Sequence, residues 1–182
     1  MKNRKNSGLD WCTLVLCAVA AGVGLNALES YLQLDRLSQA YEQIRTMQYS
    51  VTLMQGILQY AVLAPIVEEL LFRGVAYNLM QKWFPWQLAM VLSAFLFAVY
   101  HGNVIQGSYA FCMGMLLAYM YHYFGRFLAP VLFHGAANLS VFLLSYHPQT
   151  IPQGMLLPTA VVGIVVAAGL IYRFRRCEAN KD

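Results

Sequence analysis

The sequence predicts an all-α protein, a polytopic transmembrane helix bundle of about six spans, and three observations carry that prediction. Of its 182 residues, 59% are hydrophobic and only 11% are charged, whereas a soluble domain carries about 25% charged residues. Between Trp83 and Tyr172 the only Asp, Glu, Lys or Arg is Arg126, and no soluble surface stays free of charge for so long. Finally, six apolar stretches approach the roughly 20 residues that a spanning helix needs. They cover residues 11–28, 50–72, 86–103, 106–124, 127–146 and 154–172.

The first stretch follows the basic start Lys2, Arg4 and Lys5. Together with Ala18-Val19-Ala20 this also describes a secretory signal peptide and its cleavage site. The apolar run continues past that point to Leu28, which favours an uncleaved span. Next, "YLQLDRLSQAYEQIRTM" places Leu34, Leu37, Tyr41, Ile44 and Met47 at 3-4-3-3 spacing. That is the apolar face of an amphipathic helix lying on the membrane or on its own bundle.

The second span holds only two charged residues between Val51 and Phe72, the adjacent Glu68 and Glu69, with Arg73 just beyond. Pro65 cannot donate to the Ala61 carbonyl, so a kink is expected one turn before Glu68, with room for a water or a substrate backbone beside the carboxylate. The stretch 86–124 is long enough for two spans that turn near His101-Gly102-Asn103. Pro85, Pro130, Pro148 and Pro152 fall at or near boundaries, where a missing N–H does least harm. Ala110, Gly114 and Ala118 form a small-residue stripe suited to helix packing. His122 and His147 lie near span ends and read as interfacial. Cys12, Cys17, Cys112 and Cys177 show neither a CxxC nor a zinc-like spacing, so they read as small apolar packing residues.

Orientation follows from the basic residues. With the N-terminus inside, Lys2, Arg4, Lys5, Lys82, Arg126, Arg173, Arg175, Arg176 and Lys181 are all cytoplasmic. Only Arg36 and Arg45 fall outside, in a loop balanced by Glu29, Asp35 and Glu42. The expectation is a multi-pass protein of the cell membrane with both termini cytoplasmic. The net charge of +4 arises from these flanks. No basic stripe suited to a nucleic-acid groove exists, so the expected partner is the lipid bilayer and no nucleic acid.

The buried polar inventory is short: Glu68, Glu69, Arg73, His101, His134 and Asn138. A carboxylate at the bilayer centre costs about 2.5–3.5 kcal/mol on insertion scales, so these residues should face the bundle interior. Glu69 and Arg73 are four apart with the acid first, the favourable order for a helical ion pair. Glu68 projects about 100° from Glu69 and about 140° from Arg73, free to meet another helix. One acid is therefore expected to be structural and the other reactive. His134 and Asn138 share a face of the fifth span, with Gly135, Ala136 and Ala137 between them allowing close approach. Phe97 and His101 share a face of the third. If these faces converge on Glu68, the set can activate a water and stabilise an oxyanion. Glu68, His101 and His134 serve equally as ligands for a divalent metal such as zinc.

In order, Glu68-Glu69-xxx-Arg73, Phe97-xxx-His101 and His134-xxx-Asn138 resemble the three motifs of the CAAX-endopeptidase and bacteriocin-processing (CPBP, or Abi) family of intramembrane proteases. The resemblance spans about residues 60–145. It divides the chain into an N-terminal span plus amphipathic helix (1–49), a catalytic helix bundle (50–146) and a last span with a basic tail (147–182). It implies hydrolysis of a peptide bond in a peptide or membrane-protein substrate, and a compact bacterial branch acting on peptide leaders, bacteriocin precursors or membrane-protein segments. Carried over by residue, Glu68 is the base that activates water, helped by His101. Glu69 is held by Arg73, and His134 and Asn138 bind or polarise the oxyanion. Both a metalloprotease and a metal-free glutamate mechanism are associated with the family, and the chain has no HExxH.

The depths of these residues fit poorly at first sight. His101 lies toward the outer end of its span, while His134 is about two turns from the inner end of the fifth. Glu68 sits mid-membrane only if the second span continues well past Arg73, toward Trp83. A non-catalytic membrane protein, either a small proton-coupled transporter or an immunity-type binding protein, is the alternative reading. Transporters often carry repeated halves, and the sequence shows none.

Overall fold

The computed structural model describes residues 7–34, 43–44, 46–48, 50–146 and 151–179. Its regular structure is helical throughout those residues. Six main helices follow one another: α1 (Gly8–Tyr31), α2 (Leu53–Met80), α3 (Trp86–Tyr100), α4 (Val104–Phe124), α5 (Leu128–Tyr146) and α6 (Leu156–Ala179). A 3-10 turn, Gln153–Met155, leads into α6. The amphipathic stretch after α1 lies partly outside the described residues, since 35–42, 45 and 49 are not among them. Lys2, Arg4, Lys5, His147, Pro148 and Lys181 also lie outside them.

Five segments are long and apolar enough to cross a membrane: α1, α2, α4, α5 and Gln153–Cys177. The protein is a multi-pass membrane bundle. The third expected span is shorter than predicted. α3 has 15 residues, about 22 Å at 1.5 Å per residue, against a hydrocarbon core of about 30 Å. It ends because His101 caps it and Gly102 adopts φ +76°, a conformation that glycine takes at little cost. Asn103 then caps α4 by accepting from the Gln106 N–H at 2.8 Å.

α2 differs from its prediction in the opposite sense. It starts at Leu53, where Thr52 and Gln55 form a reciprocal capping box, and runs to Met80. This extension places Glu68 near the middle of the helix. Its winding is also uneven. Ile57–Leu63 and Leu70–Tyr77 are π-helical, while Ala64–Glu69, which contains Pro65, is α-helical. The expected disturbance at Pro65 therefore takes the form of a change of hydrogen-bond register. The Ala64 N–H donates to Gln59, five residues back. In that register the carbonyl facing the missing Pro65 N–H is Tyr60, where an α-helical register would make it Ala61.

Small residues set the helix contacts. A Cβ on Gly24 of α1 would lie 2.9 Å from the Ile164 nitrogen of α6, and one on Gly22 would lie 3.2 Å from the Ala137 Cα of α5. The Ala110-Gly114-Ala118 stripe is buried, and a Cβ on Gly114 would lie 3.0 Å from the Ala94 Cα of α3. Aromatic and aliphatic side chains fill the interior, among them Leu14, Phe97, Leu117, Phe124, Phe133 and Phe174. Of the cysteines only Cys17 packs inside. Cys12 and Cys112 are exposed on the bundle exterior, because their turns face outward, so the packing role expected for them does not hold. His122 stacks on Trp86 with ring centroids 4.1 Å apart.

Candidate active site

Glu69 and Arg73 are both fully buried, and the Arg73 Nη1 donates to Glu69 Oε1 at 2.9 Å. The π turn between them preserves the pairing expected from four-residue spacing. Arg73 Nη2 donates to the Gly114 carbonyl of α4 at 2.9 Å, and the guanidinium lies 4.8 Å over the Phe97 ring of α3. One cation thus ties three helices together. Close approach at Gly114 makes this reachable, since a side chain there would hold α3 away from α4.

Glu69 has a second partner that its spacing from Arg73 gave no reason to expect. His134 of α5 makes a 2.9 Å hydrogen bond from Nδ1 to the same Oε1. A carboxylate can only accept, so this nitrogen carries the proton and Nε2 is left to face the other way. It lies 3.7 Å from Glu68 Oε2. Glu68 keeps 16% of its side-chain surface exposed while Glu69 keeps none. Adjacent in sequence, the two acids occupy different environments: one is enclosed by Arg73 and His134, the other opens onto space.

That space is a cavity of about 490 Å³, lined by Glu68, His101, His134 and Asn138 together. His101 Nδ1 makes a 2.8 Å hydrogen bond to the Phe97 carbonyl. A carbonyl only accepts, so Nδ1 carries a proton and Nε2 is the ring's remaining nitrogen. Phe97 organises both rings, edge-on to His101 at 4.7 Å and to His134 at 5.8 Å. Asn138 donates from Nδ2 to the Tyr60 carbonyl of α2 at 3.0 Å.

The structure also brings in residues that the sequence did not single out. Asn26 and Glu29 at the end of α1, Ile44 and Met47 of the following segment, and Gln106 and Tyr109 of α4 line the same cavity. Ile44 and Met47 belong to the apolar face read in the amphipathic stretch, and that periodicity was their one signal. Nothing in the sequence joins the end of α1 to the site. The lining comes from the C-terminal part of α1, the first half of α2, the end of α3, the first half of α4 and the middle of α5.

Among the described residues, no three His, Cys, Asp or Glu side chains are grouped so as to hold a metal ion.

Residues 50–140, half of the chain, match the family model described as Rce1-like, type II CAAX prenyl endopeptidase. No curated protein and no solved structure matches the chain.

Proposed function

The chain belongs to the Rce1-like family of type II CAAX prenyl endopeptidases, and we propose that it hydrolyses peptide bonds inside the membrane with Glu68 as the base that activates water. One observation carries this reading. Glu68 opens onto the cavity opposite His134 Nε2, while Glu69 is withdrawn into its bonds with Arg73 and His134.

The reaction needs a base, a stabiliser for the oxyanion and a proton for the leaving amine. Glu68 takes a proton from water held between its carboxylate and the His101 Nε2 lone pair. The water oxygen forms a bond to the scissile carbonyl carbon, and the carbonyl π electrons move onto oxygen. His134 stabilises that oxyanion from Nε2 when this nitrogen is protonated. Collapse of the tetrahedral species breaks the C–N bond, and Glu68 returns its proton to the departing amine. Glu69 acts through His134, fixing the ring so that Nε2 points at the reacting atoms. No step in this proposal is routed through a metal.

The substrate proposed is a peptide or a membrane-protein segment that enters the cavity from the bilayer. Both termini are proposed to be cytoplasmic in a cell-membrane protein, on the support of Lys82, Arg126, Arg173, Arg175 and Arg176 at one end of the bundle. The cavity then lies toward the opposite face, and a cysteine placed at its rim is expected to react with an impermeant maleimide added outside intact cells.

A quenched peptide offered to purified wild type, Glu68→Gln and His134→Ala tests the chemistry. Wild type is expected to cleave, with both variants folded and at least about 100-fold slower. Equal rates in all three would overturn the proposal. Chelator treatment with metal analysis of the wild type checks the metal-free form, for which full activity without bound metal is expected.

A further inference from the structure

The seam between α2 and α5 runs from the reacting groups to an apolar stop. Glu68 stands opposite His134, Tyr60 opposite Asn138, and Gly56 opposite Phe142, so the two helices are antiparallel along the cavity. Tyr60, Ala64 and Glu68 line it at four-residue intervals of α2, as do His134, Asn138 and Phe142 of α5. The carboxylate and the imidazole mark one end of this ladder. At the other end the buried Phe142 ring packs against Tyr60 and Tyr146, with ring centroids 5.7 and 5.4 Å away. Gly56 makes room for it, because a Cβ there would overlap the tip of the ring. Val141 adds a second apolar surface to the same wall.

Building on the peptidase reading, we infer that Phe142 is a specificity-determining residue. Its ring, seated in the notch that Gly56 leaves, limits the size of the apolar substrate side chain accepted at this end of the cavity. Phe142 follows His134 by eight residues, about 12 Å along α5 at 1.5 Å per residue. An extended peptide advances about 3.3 Å per residue. The side chain that meets the ring therefore belongs to the third or fourth residue from the scissile bond. An apolar side chain gains there by leaving water against the Tyr60 and Phe142 rings and Val141. A charged one would lose its hydration against a wall that supplies no counter-charge. Two helical turns separate Phe142 from the reacting groups, so its replacement should change which peptide is cleaved and leave the reaction as it is.

Quenched peptides with Ala, Leu, Phe or Trp at each of four positions on either side of the cleaved bond test this. They would be offered to the full chain as wild type, Phe142→Ala and Gly56→Ala, with kcat/KM and the thermal midpoint in detergent measured for each. Wild type should cleave the Leu peptide faster than the Trp peptide at one position, the third or fourth from the bond. Phe142→Ala should raise the Trp-to-Leu ratio of kcat/KM there by about 10-fold or more, the scale on which an apolar pocket sorts side chains by size. The ratios at the other positions should stay as in wild type. Gly56→Ala should shift the preference at the same position the other way, toward Ala, by pressing the ring into the cavity.

A Trp-to-Leu ratio that Phe142→Ala leaves unchanged, or changes alike at every position, would overturn the inference. A merely structural ring would lower the midpoint and slow all peptides together. If Phe142→Ala does not fold, Phe142→Leu is read in the same way, with a several-fold change expected at the same position. Cleavage by wild type with ratios that no variant shifts removes the inference and leaves the peptidase reading. A wild type that cleaves none of the peptides removes both.

Discussion

Helices α1 and α2 are both long enough to cross a bilayer, yet they are held in place by different means. α1 has 44% of its apolar window buried and packs backbone against backbone through Gly22 and Gly24. α2 has 22% of its window buried, half as much, and is secured by polar bonds: Asn138 to Tyr60, Arg73 to Gly114, and His134 to Glu69. Lipid offers no hydrophobic drive between helices, so association rests on close packing and on hydrogen bonds. The scaffold relies mainly on the first, and the reactive helix adds the second to its close approach at Gly135. A helix that carries buried carboxylates and a released carbonyl must satisfy them from its neighbours, and those same bonds aim the reacting groups.

The largest effect is expected where that polar fastening is cut at its centre. Arg73→Met leaves the Glu69 carboxylate buried without its cation, a loss of about 3–5 kcal/mol for a broken buried pair. Unfolding in detergent should show it, and a midpoint equal to wild type would remove Arg73 from the account. Next, Gly135→Ala forces a Cβ toward the Ala61 carbonyl. Overpacking of this kind costs about 1–3 kcal/mol, and here kcat should fall with stability because α5 carries His134. Gly163→Ala meets α1 just as closely, with a Cβ 2.7 Å from the Ala20 carbonyl oxygen, and should lower stability by a similar amount. It should leave kcat of the folded protein intact, because among the described residues none from α6 lines the cavity. If Gly163→Ala slows catalysis as much as Gly135→Ala does, the division between scaffold and reactive helix fails.

The smallest effect is expected at Arg173, whose Nη1 donates to Thr13 Oγ1 at 2.7 Å and whose Nη2 lies 3.7 Å from Asp10. Its side chain is 34% exposed, so solvent screens the pair and Arg173→Ala should cost less than about 1 kcal/mol.

Much of this arrangement was legible in the sequence. A run with Arg126 as its lone charge leaves little choice but membrane helices, and four-residue spacing pairs Glu69 with Arg73. The same spacing put His134 and Asn138 on one face. What escaped is what spacing cannot carry. The π-helical turns of α2 depend on how its carbonyls are satisfied by α5, so the released carbonyl fell at Tyr60 where an α-helical register pointed to Ala61. The bond from His134 to Glu69 joins residues 65 apart in sequence, and no local pattern announces it. α3 stopped at Tyr100 because Gly102 turns the chain, although apolar residues continue beyond it. Glu29 read as one charge among several in a loop, and only packing of α1 against α5 brings it to the cavity.

Two adjacent glutamates divide structure from chemistry in this site, and isosteric removal of each charge tests that division most directly. Glu68→Gln and Glu69→Gln would be compared with wild type for thermal midpoint and for peptide cleavage. Glu68→Gln should keep a midpoint near wild type and lose cleavage, while Glu69→Gln should lose stability first and activity as a consequence. Cleavage at the wild-type rate by a folded Glu68→Gln protein would contradict the account.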